Sequence, residues 1–403
     1  MVSMDRGRRQ HERRSVHDIP DPLRLVLKQV SRSFYLTLAI LPSSLRRAMG
    51  VAYLLARAAD TIADTRLLAR ADRLLHLDLF RQQLESPSPS RLAEIPRGLT
   101  GPQRLPAERE LLLRLPECFA AFGALQKEDR SRIQGLLVAL IFGMQEDLRI
   151  FPGESEEHLI ALESRADLDR YTYYAAGCVG EFWTDMVMAH RAAMAGWDAR
   201  AMRARGKCFG QGLQMTNVLR DLAQDLRIGR CYLPRQDLQE LGLSPGDLLD
   251  PAAAERLRPL LRKLLGLTLS HYTEGWAYLL AIPPREIRIR LACAWPLLIG
   301  LRTLDLIQQV RNCLDPRVRL KISRVAVYGI MARSAALICR LSALPRARSS
   351  ASEVLSSTSS ADGSGISLIR PRGPRSSCTT SGRGGDRRMA GDAEETTGVD
   401  RLP

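Results

Sequence analysis

Between about residue 21 and residue 344, apolar positions recur every three or four residues in long runs of Leu, Ala and Met, punctuated by Arg. β-Branched clusters are few and period-two alternation is absent, so the pattern reads as helical throughout. Breakers fall where helix–helix loops belong: Pro42, residues 86–106, Pro152-Gly153, residues 229–234, Pro245-Gly246 and Pro283-Pro284. No self-similarity appears at a solenoid period. The pattern predicts one large all-α domain over residues 21–344. An Arg-rich arm over residues 1–20 and a tail over residues 345–403 are expected to be disordered. The tail is rich in Ser, Gly and Arg and lacks any aromatic residue, so it cannot bury enough apolar surface to order itself.

Within the helical zone, two segments break the usual surface-helix balance. The first is YLLARAADTIAD over residues 53–64. At helical spacing Tyr53, Arg57, Asp60 and Asp64 share an arc about 60° wide, and almost every other position is apolar. A surface helix shows a broad polar face and an apolar stripe. Here the polar stripe is the thin one, so it must face something polar inside the protein. The second is QMTNVLRDLAQDLRIGRCYLP over residues 214–234. Gln214, Asn217, Asp221 and Asp225 fall within an arc about 80° wide. Buried carboxylates without partners are very costly, so cations are implied. One Asp-x-x-x-Asp is ordinarily a solvated face, but two such stripes could oppose each other across a cavity. Oxygen ligands of this kind suit Mg²⁺ bridging to phosphate, with Arg57, Arg220 and Arg230 completing an anion site. Rival metal sites are missing from the sequence: there is no Glu-x-x-His, no His-Glu-x-x-His and no EF-hand loop.

Composition narrows the partners. Hydrophobic residues at 45% and charged residues at 26% exclude wholesale disorder and a collagen-like repeat. The 59 Lys and Arg against 44 Asp and Glu leave a formal charge of +15, which favours an anionic partner. Nucleic acid is set aside, because aromatics are only 5% and the charge is dispersed over helices. The eight cysteines are scattered without a Cys-x-x-Cys, as expected for reduced thiols in a cytosol-like compartment. The N-terminus has no apolar signal core, and the uncharged runs 133–145 and 291–301 stop short of the ~20 residues that span a bilayer. A cytoplasmic monomer is expected, with a basic face able to rest on anionic membrane.

With these segments in hand, the sequence resembles the squalene/phytoene synthase family, the head-to-head branch of the trans-isoprenyl diphosphate synthases. The resemblance spans roughly residues 25–328 and rests on four motifs in order. They are SRSFY at 31–35, residues 53–64, YTYYAAGCVG at 171–180, and residues 217–234. It implies an all-α isoprenoid-synthase fold around a central cavity. It further implies joining of two farnesyl diphosphates through presqualene diphosphate, followed by NADPH-dependent reduction to squalene. Within the family the first motif, Asp60-Thr61-x-x-Asp64, is most similar to bacterial squalene synthases.

The resemblance assigns Mg²⁺ to Asp60, Asp64, Asp221 and Asp225, with Asn217 as auxiliary. Ser31, Arg32, Ser33, Phe34, Arg57, Arg220 and Arg230 would contact the substrate diphosphates. Tyr53 and Tyr171, beside Arg57, would steer the cation and the proton loss. Asn217 and the basic stretch holding Lys321 and Arg324 would meet the reductant, NADPH. The alternatives are a phytoene or dehydrosqualene synthase without NADPH, and a non-catalytic helical assembly factor on the same fold. Retention of both aspartate pairs argues against the second.

Overall fold

The computed structural model describes residues 19–31, 34–100 and 105–343. Arg32, Ser33, nearly all of the 1–20 arm and the 345–403 tail lie outside the described residues, as does the side chain of Phe34. Among the described residues the chain is helical almost throughout, as the apolar periodicity predicts. In chain order the helices begin with α1 (Asp21–Ser31), α2 (Phe34–Ile40), α3 (Ser43–Asp64), α4 (Arg70–Glu85) and α5 (Pro89–Glu94). They continue with α6 (Pro106–Leu113), α7 (Leu115–Gly123), α8 (Lys127–Ile150), α9 (Arg165–Thr172) and α10 (Cys178–His190). The last are α11 (Ala199–Arg227), α12 (Arg235–Glu240), α13 (Ala254–Ala281), α14 (Ile287–Gln309) and α15 (Arg324–Ala343).

The boundary of the N-terminal arm is corrected. Ile19, assigned to the arm, is 6% exposed and packs beside Gly50, where an added Cβ would meet its Cδ1 at 2.1 Å. The all-α class holds, with one short bridge within it. Ile160–Ala161 (β1) pairs in parallel with Arg230–Cys231 (β2), a bridge too short to leave a period-two signature.

The core is built around α3 and α11. On α3, Leu54, Leu55, Ala58, Ala59 and Ile62 are fully buried, which leaves only the narrow stripe polar. α11 packs against α10, α13 and α14. Small residues permit the close approach of α10 and its π-helical lead-in, Tyr173–Gly177: a Cβ on Gly210 would lie 2.1 Å from the Ala176 carbonyl oxygen. Ser164 and Asp167 form a reciprocal capping box that starts α9 and so aims Tyr171. Pro283 and Pro284 separate α13 from α14 as their chemistry dictates. α14 runs longer than the 291–301 stretch and is long and apolar enough to cross a membrane by length and composition, yet 56% of its apolar window is buried inside the fold.

Candidate active site

The polar stripe of α3 opens onto a cavity of ≈310 Å³. Asp60 and Asp64 line it from α3, Glu146 and Asp147 from α8, Asp167, Arg170 and Tyr171 from α9, Gln214 from α11, and Arg230 and Tyr232 from the chain after α11. Arg57 donates to Asp60 on its own helix and to Glu108 Oε1 on α6 at 2.6 Å. Burial, and then the charge of Asp64, raise the Asp60 carboxyl above the ordinary range despite Arg57. Asp64 meets water through the cavity but is otherwise ringed by protein. That desolvation raises it too, against the pull of Arg230 and Arg57.

Opposite, the end of α11 turns at Gly229, which takes φ +80° and sits where a Cβ would be 2.8 Å from the Ser155 carbonyl oxygen. The β1–β2 bridge then fixes Arg230: Ile160 N donates to Gly229 O at 3.1 Å and Leu162 N to Cys231 O at 3.0 Å. Arg230 Nη1 lies 2.8 Å from Asp147 Oδ2, and Tyr232 Oη donates to Asp147 Oδ1 at 2.9 Å. Burial works against the Arg230 charge, but Asp147 and Tyr232 more than offset it. Tyr171 stacks on Tyr232 with ring centroids 4.2 Å apart. Its hydroxyl accepts from Gln214 Nε2 at 2.9 Å, and Gln214 Oε1 accepts from Asn217 Nδ2 at 3.1 Å. Burial pushes the Tyr171 phenol well up, so the hydroxyl keeps its proton at neutral pH.

The second aspartate pair is arranged differently. Arg220 grips its neighbour Asp221 in a two-pronged bond, with Nε to Oδ1 at 2.8 Å. Burial, and then the Asp221 charge, raise Asp225 to about 7, with Arg230 pulling the other way. Asn217 and Arg220 open onto a separate cavity of ≈200 Å³, walled by Thr37, Leu213, Trp295, Ile299 and Met331. Asp60 and Asp64 line the larger cavity and Asn217 and Arg220 the smaller, while Asp225 lies close enough to the larger one for Arg230 and Asp147 to act on its charge. That charge is felt by Tyr171 as well.

Other expected residues fall outside. Ser31 is buried and its hydroxyl donates to the Leu27 carbonyl within α1, so it faces the core rather than a cavity. Tyr53 packs half-buried on the core and is felt electrostatically by Arg57, but it lines neither cavity. Lys321 and Arg324 are exposed and line neither. Sequence reasoning missed Asp147, Tyr232 and Glu108. The signal for Asp147 was an acidic pair, Glu146-Asp147, closing the long apolar run of α8; that position looks like an ordinary helix end until Arg230 is brought to it.

Five carboxylates and two guanidiniums line the larger cavity among the described residues. That acidic excess, with carboxyls raised by burial and mutual repulsion, fits a site completed by a cation. Among the described residues no three His, Cys, Asp or Glu side chains converge as a ready-made metal cage. Such an arrangement suits Mg²⁺, which is held by one or two carboxylates, waters and substrate phosphates.

The chain is similar to known proteins over most of its described length. The family model described as squalene/phytoene synthase matches residues 27–326. The chain is 26% identical over 298 residues to a squalene synthase of Eremothecium gossypii, covering 73% of this chain but only 64% of that protein. It is 30% identical over 245 residues to a presqualene diphosphate synthase of Zymomonas mobilis subsp. mobilis, covering 60% of this chain and 69% of that one. In fold it matches the complex of TcSQS with the ligand E5700 at TM-score 0.62 and 23% identity, covering 80% of this chain and 90% of that one.

Proposed function

The chain belongs to the squalene/phytoene synthase family of prenyltransferases, and we propose that it joins two farnesyl diphosphates head to head, through presqualene diphosphate, and reduces the product to squalene with NADPH. The observation that carries the reading is the larger cavity itself. Aspartates from α3, a half-buried Arg230 and a stacked, protonated tyrosine pair line it together.

Asp60 and Asp64, and Asp221 and Asp225 with Asn217, would hold Mg²⁺, which would supply Lewis acidity to the departing diphosphate. The arginines Arg57, Arg220 and Arg230 would bind diphosphate oxygens; each is already held in place by a carboxylate, Arg57 by Glu108, Arg220 by Asp221 and Arg230 by Asp147. Ionisation of the allylic C–O bond leaves a cation that water would quench. Once substrate fills the cavity, the Leu140, Met144, Phe151 and Tyr174 walls would shield the cation from water. Tyr171, held by Gln214, presents an aromatic face to that cation. Loss of a proton closes the cyclopropane of presqualene diphosphate. NADPH, which Lys321 and Arg324 with Asn217 would hold, would supply the hydride that discharges the cation of a second ionisation, leaving squalene, diphosphate and NADP⁺.

A second reading omits the reduction and ends at dehydrosqualene or phytoene. It is favoured by one observation, that Lys321 and Arg324, the residues expected to hold the reductant, line neither cavity. Incubating the chain with farnesyl diphosphate and Mg²⁺, with and without NADPH, and identifying products by mass spectrometry tests both. Squalene made only with NADPH supports the first reading. Dehydrosqualene or phytoene made regardless of NADPH overturns it in favour of the second, and absence of any condensed product overturns both.

A further inference from the structure

Helix α15 and the loop before it have an unusual outer face. The inner face of the helix is spoken for: Met331 and Ser334 are buried, and Trp295 Nε1 of α14 donates to Ser334 Oγ at 3.2 Å. The outer face should then be polar, as on any surface helix. Instead Val325 is 81% exposed and Tyr328 56%, with Ala332 and Ala336 exposed further along the same stripe. Val318 in the preceding loop is exposed as well. Exposed Arg319, Lys321, Arg324 and Arg333 frame these apolar groups, and no Asp or Glu occurs from Pro316 to Ser352.

We propose that this face, from Val318 to Ala336, is a docking surface for an anionic lipid membrane. An apolar stripe with an aromatic residue, framed by cations and free of acids, matches the two layers of a bilayer surface. Val325 and Tyr328 enter the headgroup boundary while the guanidiniums meet lipid phosphates. A second copy of the chain is the poorer occupant, because two bodies each carrying +15 repel. The same helix gives Val327 and Met331 to the wall of the smaller, largely apolar cavity. The docking does not depend on the proposed reaction.

The test uses the full chain and vesicles in place of turnover, so its failure is separate from failure of the proposed reaction. The unaltered chain should co-sediment with phosphatidylglycerol-containing vesicles at a lipid concentration at least tenfold below that needed with pure phosphatidylcholine. Added salt should release it. Two basic residues at such a surface correspond to roughly a 25-fold change in partitioning, so Arg319→Glu with Arg333→Glu should weaken binding by more than tenfold. Val325→Asp with Tyr328→Asp should do the same, while Tyr328→Trp, which keeps an interfacial aromatic, should retain binding. Equal binding to neutral vesicles overturns the proposal. So does binding that survives both double variants, which would put the lipid contact elsewhere in the chain, and so does an aspartate variant that splits a dimer in sedimentation velocity. If the double variants do not fold, insensitivity of the unaltered chain to salt and lipid charge overturns the proposal by itself.

Discussion

Replacing Asp147 with Asn removes one charge from the lining of the larger cavity and changes almost no volume. Asp147 is 13% exposed and Arg230 16%, so their 2.8 Å contact is largely withdrawn from solvent. The amide still accepts from Tyr232, but the guanidinium loses a charge-assisted bond of about 1.5–3 kcal/mol. Complete loss of a partner in a buried pair costs about 3–5 kcal/mol. Asp64 and Asp225 also act on Arg230, so the lower range applies here. With an unfolding entropy near 2.1 cal/mol/K per residue, a domain of roughly 300 residues should lose about 2–5 °C in Tm. Turnover should fall by at least about tenfold, because Arg230 is no longer held toward the site. Asp78→Asn is the control. Asp78 pairs with Arg81 at 2.7 Å but both are about one-third exposed, and such surface pairs contribute at most about 0.5 kcal/mol. Thermal denaturation and steady-state assays of both variants decide the matter. An Asp147→Asn protein with unchanged Tm and turnover would refute the account of Arg230.

Asp60→Asn and Asp221→Asn should each abolish prenyl transfer while far-ultraviolet circular dichroism stays helical; near-native turnover in both would remove the metal assignment. Replacing Lys321 and Arg324 with Ala should leave the first condensation intact and make presqualene diphosphate accumulate, read by mass spectrometry, and squalene at the normal rate would dissociate this pair from the reductant. Gly210→Ala forces a methyl to 2.1 Å from the Ala176 carbonyl oxygen, so α11 and the π-helical segment Tyr173–Gly177 must separate and Tm should drop by several degrees. In metal-free protein, Asp225 at about 7 when folded and about 3.9 unfolded binds its proton more tightly in the native state. That contribution is therefore present below about pH 4 and is lost as pH rises to about 7. Chelator-treated protein should lose Tm across that window relative to Asp225→Asn, and Mg²⁺ should restore more at pH 7.5 than at pH 5.5.

The all-α class was legible in the sequence because helical periodicity is local: each apolar position reports its own helix face, whatever that face later packs against. The same logic found the α3 stripe, since Asp60 and Asp64 among Leu54, Leu55 and Ile62 have no reading as a solvated face. It also found the Asp221 and Asp225 pair on α11, and the family resemblance added Tyr171. Asp147 was not legible. A carboxylate at the end of α8 has the same local signature as any helix terminus, and its meaning comes from an arginine 83 positions away that a two-residue bridge and a left-handed Gly229 bring to 2.8 Å. The sequence likewise could not say that Asn217 and Arg220 open onto a second cavity, because a helical projection orders residues around one axis and carries no information about what stands on either side. Tertiary packing alone made that division: α14 and α15 close one flank of α11 with Trp295 and Met331, while α8 and α9 close the other with Asp147 and Tyr171.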